Sequence, residues 1–510
     1  MTDAVAARRV EPVRFDALSY LRANAATRGA DLAVYDDGET FDFEQLLRIV
    51  LALMGDLRSR GVDAGDVVAV ALPNVWRYVA LELAVPAIGA VLLPLPTSLG
   101  RREVTSSLET SGAALLIADA TGRGAAIADA AREVACVRAV VAADTLDTEA
   151  RAGEDMWLPP DPDRVVQIAL TSGTTGPPKL ASLTARLKQL TFEGFTSRLG
   201  LGPGDRMLPL SPVTQGAGEM CLYALRTGAA LIMSHDARFD PERALALAER
   251  TRATVLGCVP TIVSRMLHSP ALGGTDLRAL RATISAGAPL PPAVAREWER
   301  RTGRPTCSFY GAMDIGQLAV PSPDDPPEKR WTTVGRPHDL AETLICDRDG
   351  APVPPGQEGE ICMRGPLVQE RYWGEDTGPF APDGWAHFGD LGFLDEEGYL
   401  HVTGRLKDTI IRGGTNVNPL EVEDLLREHP AVRDVCVVGQ PDRDLGERVA
   451  AFVIAAEGTA PTLDELVAHL ARAGLARYKW PESVRVIERL PVGSTGKVDR
   501  RALRAELGGS

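Results

Sequence analysis

The chain has 510 residues, more than one hydrophobic core can organise, which predicts two or more domains. Hydrophobic residues make up 45% of it and the mean hydropathy is −0.04, which excludes a disordered chain and one dominated by membrane spans. The formal net charge of −14 excludes the broad basic face of a nucleic-acid binder but leaves room for a local basic pocket.

The opening MTDAVAARRVEPVRF lacks the apolar core of a signal peptide. In residues 42–61, Phe43, Leu46, Leu47, Val50, Met54 and Leu57 recur at helical spacing; Asp42 can cap the start and Gly61 the end. Residues 66–72 read as a strand. Residues 78–96 form the most membrane-like stretch, but Glu82, Pro86, Pro94 and Pro96 predict a buried helix followed by a strand. Residues 113–119 read as another strand. Strands separated by helical patterns predict an α/β fold, with parallel-rich sheets covered by helices and a small β region besides. Pro159, Pro160 and Pro162 mark a loop, and residues 165–170 read as a buried strand.

That strand runs into Thr171-Ser172-Gly173-Thr174-Thr175-Gly176-Pro177-Pro178-Lys179. The two glycines let several backbone N–H groups converge on one anion. Four hydroxyls and the Lys179 charge add donors. The Walker pattern fails, because two prolines precede Lys179 and Leu180 stands where a magnesium-binding hydroxyl is needed. By itself the stretch reads as a phosphate loop or as a surface turn.

Towards the end the pattern changes. GFLDEEGYLHVTG predicts a hairpin turning at Glu396-Glu397-Gly398. PLEVEDLLREH opens a helix at Pro419, with Leu420, Val422, Leu425 and Leu426 on one face. The strands VCVVG and RVAAFVI and the helix LDELVAHLARAG complete a compact α+β unit. The expected boundary is TGRLKD, residues 403–408, giving domains 1–404 and 405–510. Cys136, Cys221, Cys258, Cys307, Cys346, Cys362 and Cys436 are scattered without a C-x-x-C pair. This predicts neither a disulfide framework nor a metal cluster, and a reducing, cytoplasmic setting. There is no internal repeat and no low-complexity segment.

Taken in order, these segments resemble the acyl-adenylate-forming enzymes: acyl-CoA synthetases, aryl-acid ligases, luciferases and adenylation domains of peptide synthetases. The resemblance runs from GDVVAVALPN, residues 65–74, to STGKVDRRAL, residues 494–503. TSGTTGPPK is similar to the family's phosphate loop, and SAGAPLPP to its adenine-pocket segment. YGAMD falls where the family has Tyr-Gly-x-Thr-Glu, GWAHFGDLG supplies Asp390, and GRLKD supplies Arg405 and Lys407.

The resemblance implies activation of a carboxylic acid by attack on the α-phosphate of ATP. Acyl-AMP forms and pyrophosphate leaves. A thiol, of CoA or of carrier-protein pantetheine, then takes the acyl group. Two anions must meet, so positive charge is needed where negative charge builds up. By resemblance, ATP is held by Thr171, Ser172, Gly173, Thr174, Thr175, Gly176, Lys179, Gly287, Ala288, Pro289, Tyr310, Gly311, Asp390, Arg405 and Lys497. Lys497 is also the catalytic lysine, bridging the substrate carboxylate and the α-phosphate region. Asp390 would accept from the ribose hydroxyls, Tyr310 would lie against adenine, and Asp314 would hold magnesium through oxygen. Gln215, Gly216, Ser285, Ala286, Met313 and Ile315 would line the acid. Lys407 would be the hinge of a mobile small domain, and Gly413 and Gly414 would line a pantetheine tunnel. The partners implied are a small acid and a thiol carrier, with no nucleic acid and no membrane, in a monomer or homodimer.

Four departures fall near the presumed reaction centre. Ala185 replaces a histidine, Gln215 a gating histidine, Met313 a threonine and Asp314 a glutamate. Leu180 after Lys179 points toward aryl-acid ligases, which favours an aromatic acid. PLSPVTQG lacks the Asp that amino-acid adenylators use, so an α-amino acid is disfavoured; Glu219 either meets a substrate amine or faces solvent. Two further readings remain: a diazotase that activates nitrite for an aromatic amine, and a nucleotide-binding protein without catalysis.

Overall fold

The computed structural model describes residues 16–149, 156–159, 161–170, 180–214, 216–234, 239–312, 316–375, 377–493 and 498–508. The described residues fall into two compact units. The first spans the chain up to Gly257, with Gly311–Gln317 and Gly365–Pro379; the second comprises Cys258–Tyr310, Leu318–Arg364 and the chain from Phe380 onward. The fold is α/β with parallel-rich sheets and a small C-terminal α+β region, as the alternation of patterns predicts.

In the first unit a six-stranded sheet has the order Ala139–Ala142, Ala113–Ala118, Val67–Ala71, Val91–Pro94, Val165–Leu170, Leu180–Thr184. All neighbours are parallel except the last pair. Val67–Ala71 is buried along its whole length, as strands covered on both faces must be. A second sheet places Val255–Cys258, Arg206–Pro209, Ala230–Met233 and Leu32–Asp36 side by side in parallel, with Glu39–Asp42 closing it as a hairpin. The helix Phe43–Ser59 forms where the apolar spacing predicts it. Asp42 and Gln45 make a reciprocal capping box, and Phe43, Leu46, Val50, Met54 and Leu57 are buried. The membrane-like stretch is the buried helix Trp76–Ala87 followed by the strand Val91–Pro94. Among the described residues, no helix is long and apolar enough to cross a membrane.

In the second unit, Ala282–Ser285 and Thr306–Ser308 pair in parallel. A four-stranded antiparallel sheet follows, ordered Glu342–Cys346, Gly359–Arg364, Ala386–Leu394, Leu400–Arg405. The last sheet pairs Gly446–Ala455 with Val432–Asp442, with Ile410–Arg412 and with Ser483–Val486. The helices Pro419–Arg427 and Leu463–Arg472 supply Val422, Leu426, Leu466 and Leu470 to its core.

The expected hairpin joins Ala386–Leu394 to Leu400–Arg405. Its turn is tied by Asp395, whose Oδ1 accepts the N–H groups of Glu397 and Tyr399 at 3.0 and 2.9 Å. Oδ2 accepts Lys329 Nζ at 2.7 Å and lies 3.2 Å from His401 Nε2. Desolvation raises the Asp395 carboxyl, but bonds from Lys329, the Tyr399 backbone and His401 outweigh it and hold it at about 2. A depressed carboxylate stabilises the fold above its unfolded value near 3.9 and loses that contribution as pH falls toward 2. Asp395→Asn should therefore cost on the order of 1–2 kcal/mol near neutral pH. In denaturant unfolding, the gap between mutant and parent should close between about pH 4 and pH 2. A gap that persists at pH 2 would show that charge is not its cause.

Candidate active site

The parallel pair Ala282–Ser285 and Thr306–Ser308 brings Ser285 opposite Ser308, and Phe309 N–H donates to Ser285 O at 2.9 Å. Past these ends lie Gly287, Ala288 and Pro289, all exposed, and Tyr310, partly exposed. The carboxyl ends of parallel strands are where α/β sheets receive ligands. Glu299 braces the pair: its Oε1 accepts Thr306 N–H at 2.8 Å, and its Oε2 meets Arg330 Nη2 at 2.6 Å. Ser285 and Ala286, expected at the acid, are both buried. The Ser285 hydroxyl has no hydrogen-bond partner among the described residues.

Asp390 is the centre of this end. It is 3% exposed. Tyr310 Oη donates to its Oδ2 at 2.6 Å, and Arg405 Nε pairs with its Oδ1 at 2.8 Å. Asp390 and Arg405 are direct register partners on adjacent strands. On the other side the ladder is irregular. Glu360 faces Leu391 but Cys362 faces His387, so residues 388–390 carry two more residues than the strand opposite. Such a bulge re-aims side chains. Gly389 sits in it at φ +70°, a conformation that L side chains rarely adopt, and its N–H donates to Glu360 Oε1 at 3.1 Å. A carboxylate has about four acceptor positions. Two donors leave capacity for a vicinal diol such as ribose.

Lys407 lies in the short turn Leu406–Asp408, and Gly413 and Gly414 turn the chain between Ile410–Arg412 and Thr415–Val417. Lys407, Thr409, Ile411, Gly414, Glu447 and Arg504 border an open depression of about 620 Å³. The Lys407 ammonium is held below its ordinary pKa, first by desolvation and then by Arg405.

Thr171 to Lys179, Gln215, Met313, Asp314, Ile315 and Lys497 lie outside the described residues. Leu170 and Leu180 are register partners, so adjacent antiparallel strands enter and leave residues 171–179. Thr184 caps the helix Ala185–Leu199 by accepting Leu187 N–H at 3.2 Å. Leu180 and Ala185 are both buried in apolar surroundings. Leu180 packs in the sheet core, which explains its identity without reference to a substrate. Gly216 opens the helix Gly216–Cys221, and Gly311 lies in the strand Tyr310–Ala312. A Cβ on Gly218 would stand 2.2 Å from Pro212 O, so only glycine lets this helix press against residues 211–212. Asn74 holds the same loop, donating to Pro209 O and Ser211 O and accepting from Val213 N–H at 2.9 Å.

Sequence reasoning missed a buried polar cluster in this unit. Glu219 does not face solvent; its Oε1 is engaged within the protein, and its Oε2 has no hydrogen-bond partner among the described residues. Lys188 Nζ donates to Gln167 Oε1 at 2.5 Å and to Glu219 Oε1 at 3.2 Å, and Gln167 Nε2 donates to Glu219 Oε1 at 2.9 Å. Glu82 lies 3.6 Å from both Lys188 and Arg226. Burial alone would lower the Lys188 pKa; Tyr223, Glu219 and Glu82 outweigh it and hold the ammonium above its ordinary value. These bonds join the strand before residues 171–179, the helix after Leu180–Thr184, and the helix after Gln215. Removing one partner of a buried ion pair costs roughly 3–5 kcal/mol. Lys188→Met should lose that much in denaturant unfolding of the full chain. Glu219→Gln on the Lys188→Met background should recover part of it; an additive or milder outcome would show that the pair is not coupled.

The chain matches the AMP-binding enzyme family over residues 21–373 and the AMP-binding enzyme C-terminal domain over residues 421–497. It is 35% identical over 480 residues to a feruloyl-CoA synthase of an Amycolatopsis species, covering 93% of this chain and 96% of that protein. It is 31% identical over 512 residues to a medium-chain fatty-acid–CoA ligase of Escherichia coli strain K12, covering 96% and 90%. Among solved structures, ATP-bound MatB from Rhodopseudomonas palustris superposes with a TM-score of 0.87 at 29% identity, over 97% of this chain and 99% of that one.

Proposed function

The chain belongs to the AMP-binding enzyme family and is an enzyme, and on that premise we propose that it activates a carboxylic acid with ATP and transfers the acyl group to CoA. The observation that carries the reading is the buried Asp390 carboxylate, held between Tyr310 and Arg405. That set suits a nucleoside: a diol at Asp390, and a flat base against Tyr310. The carboxylate oxygen of the acid attacks the α-phosphorus, and the bond to pyrophosphate breaks. Thr171 to Lys179 cradle the phosphates in this proposal, and Lys497 neutralises charge between acid and α-phosphate. Asp314 is proposed to hold magnesium, which would offset phosphate charge; this rests on its motif position alone. The CoA thiolate then attacks the acyl carbon and AMP leaves. A carrier-protein pantetheine is the alternative acceptor, separated by offering each thiol. Seven free cysteines support a cytoplasmic setting.

For the acid, we propose an aromatic one. The support is the name of the feruloyl-CoA synthase and the departures at Ala185, Gln215 and Met313. Leu180, a core residue, no longer adds to it. A panel of aromatic and aliphatic acids in ATP–pyrophosphate exchange should give one or two strong aromatic responders. Lys497→Ala should lower that exchange by roughly 10²–10³ while nucleotide binding stays. Response to medium-chain fatty acids alone would overturn the aromatic reading. ATP cleavage to AMP only with nitrite and an aromatic amine would replace the ligase reading with a diazotase.

We also propose that residues 405–510 move as a body about Lys407 between adenylation and thiol attack. A hinge must hold two backbone settings, whereas proline fixes its own φ and restricts the residue before it. Lys407→Pro should therefore spare one half-reaction, measured by single-turnover acyl-AMP formation and acyl transfer, and cripple the other. Equal loss of both, or loss of neither, removes the hinge.

A further inference from the structure

Three strands of the antiparallel sheet place chemically distinct donors on one face. Glu360 and Cys362 are two apart on Gly359–Arg364, so their side chains share a face. Cys346 is the register partner of Glu360, and His387 that of Cys362. Cys362 Sγ lies 3.4 Å from His387 Nδ1, and His387 Nδ1 lies 3.0 Å from Glu360 Oε2. These three donor atoms all lie within 4.8 Å of one another. Cys346, opposite Glu360 in the ladder, is buried on the same face. The far nitrogen of the ring, His387 Nε2, meets Asp383 Oδ2 at 3.2 Å.

We propose that Glu360, Cys362 and His387, with Cys346 beside them, form a binding site for a zinc-class divalent cation. Thiolate, imidazole and carboxylate together are the donor mix that zinc takes. Bond lengths of about 2.0–2.3 Å at a tetrahedral centre put neighbouring donors roughly 3.3–3.6 Å apart. The 3.4 and 3.0 Å separations are already near that spacing. The Asp383 carboxylate on Nε2 is the partner that orients a ligating histidine and sets its tautomer. Binding would release the Cys362 thiol proton and leave the neutral ring protonated at Nε2, facing Asp383, with Nδ1 free to ligate. The Cys362 sulfur is buried, while the His387 and Glu360 side chains are 26% and 19% exposed, so an ion has a way in from their side. An ion pair of His387 with Glu360 and Asp383 needs no thiols; the two cysteines on the same face are what it leaves unexplained.

The test uses the full, tag-free chain, stripped with a chelator and kept free of nucleotide and magnesium. Titration with Co²⁺ alone should load about one ion per chain and raise the sulfur-to-cobalt absorption that marks a thiolate ligand. Zn²⁺ should displace it. Cys362→Ser should abolish the band, and His387→Gln should weaken binding roughly ten- to a hundredfold or more. His387 is partly exposed, so His387→Gln stands as a second test should Cys362→Ser fold poorly. No cobalt binding, binding without the sulfur band, or a band that survives these substitutions overturns the site.

Discussion

The bulge at residues 388–390 is the constraint on which the chemistry of the second unit depends. A regular ladder continuing from the Glu360–Leu391 pair would set Asp390 opposite Ile361 and Gly389 opposite Cys362. Two extra residues break that pairing, so Asp390 keeps its register with Arg405 and reaches Tyr310. An irregular strand leaves backbone donors without ladder partners, and a buried one is costly. Here the Gly389 N–H is satisfied by Glu360, a side chain from the neighbouring strand. The bulge is thus held from one side by Glu360 and from the other by Arg405, with the Asp395 turn fixing the hairpin beyond it.

The first unit solves a similar positioning problem by burying charge. Lys188, Glu219, Glu82 and Arg226 have side chains no more than 10% exposed. Desolvating such ions costs several kcal/mol each, and apolar packing of equal volume would often be as stable. What apolar contacts do not give is direction. A lysine that must reach both Gln167 and Glu219 fixes the rotation of the helix Ala185–Leu199 against the strand Val165–Leu170 and the helix Gly216–Cys221. Those elements lead to and from the glycine-rich stretch and Gln215. Asn74 does the same for the segment before Gln215, through three hydrogen bonds to backbone.

What was legible in the sequence follows from range. The helix Phe43–Ser59 could be read because its cap and apolar stripe are local, and the hairpin at Glu396–Gly398 because turn residues sit between alternating strands. Asp390, Tyr310 and Arg405 were recognised as a motif set, although they are up to 95 residues apart by number, only because the whole order of segments resembled a family. The Lys188 cluster was invisible for the opposite reason. Its four charged members, Glu82, Lys188, Glu219 and Arg226, stand on separate elements, and each alone looks like an ordinary surface charge. Cys346, Cys362 and His387 meet across strands, where the relevant spacing is register, and the bulge that brings His387 opposite Cys362 leaves no mark on composition.

Glu360 connects these features most directly. One of its oxygens accepts the Gly389 N–H beside Asp390; the other faces His387 Nδ1. The carboxyl group is planar and rigid, so any event that draws Oε2 toward a new partner rotates or shifts Oε1 as well. A cation among Glu360, Cys362 and His387 would therefore act on the bond that satisfies the bulge, one residue from the Asp390 carboxylate. Such coupling is reciprocal by thermodynamic necessity: whatever factor the cation imposes on nucleotide affinity, the nucleotide imposes on cation affinity. Its sign depends on whether ligation leaves Oε1 aimed at Gly389. Monodentate ligation through Oε2 preserves that bond and stiffens the bulge, whereas bidentate ligation takes both oxygens and frees the Gly389 N–H. The same carboxylate can thus brace the bulge beside Asp390 or loosen it, according to how many of its oxygens the ion takes.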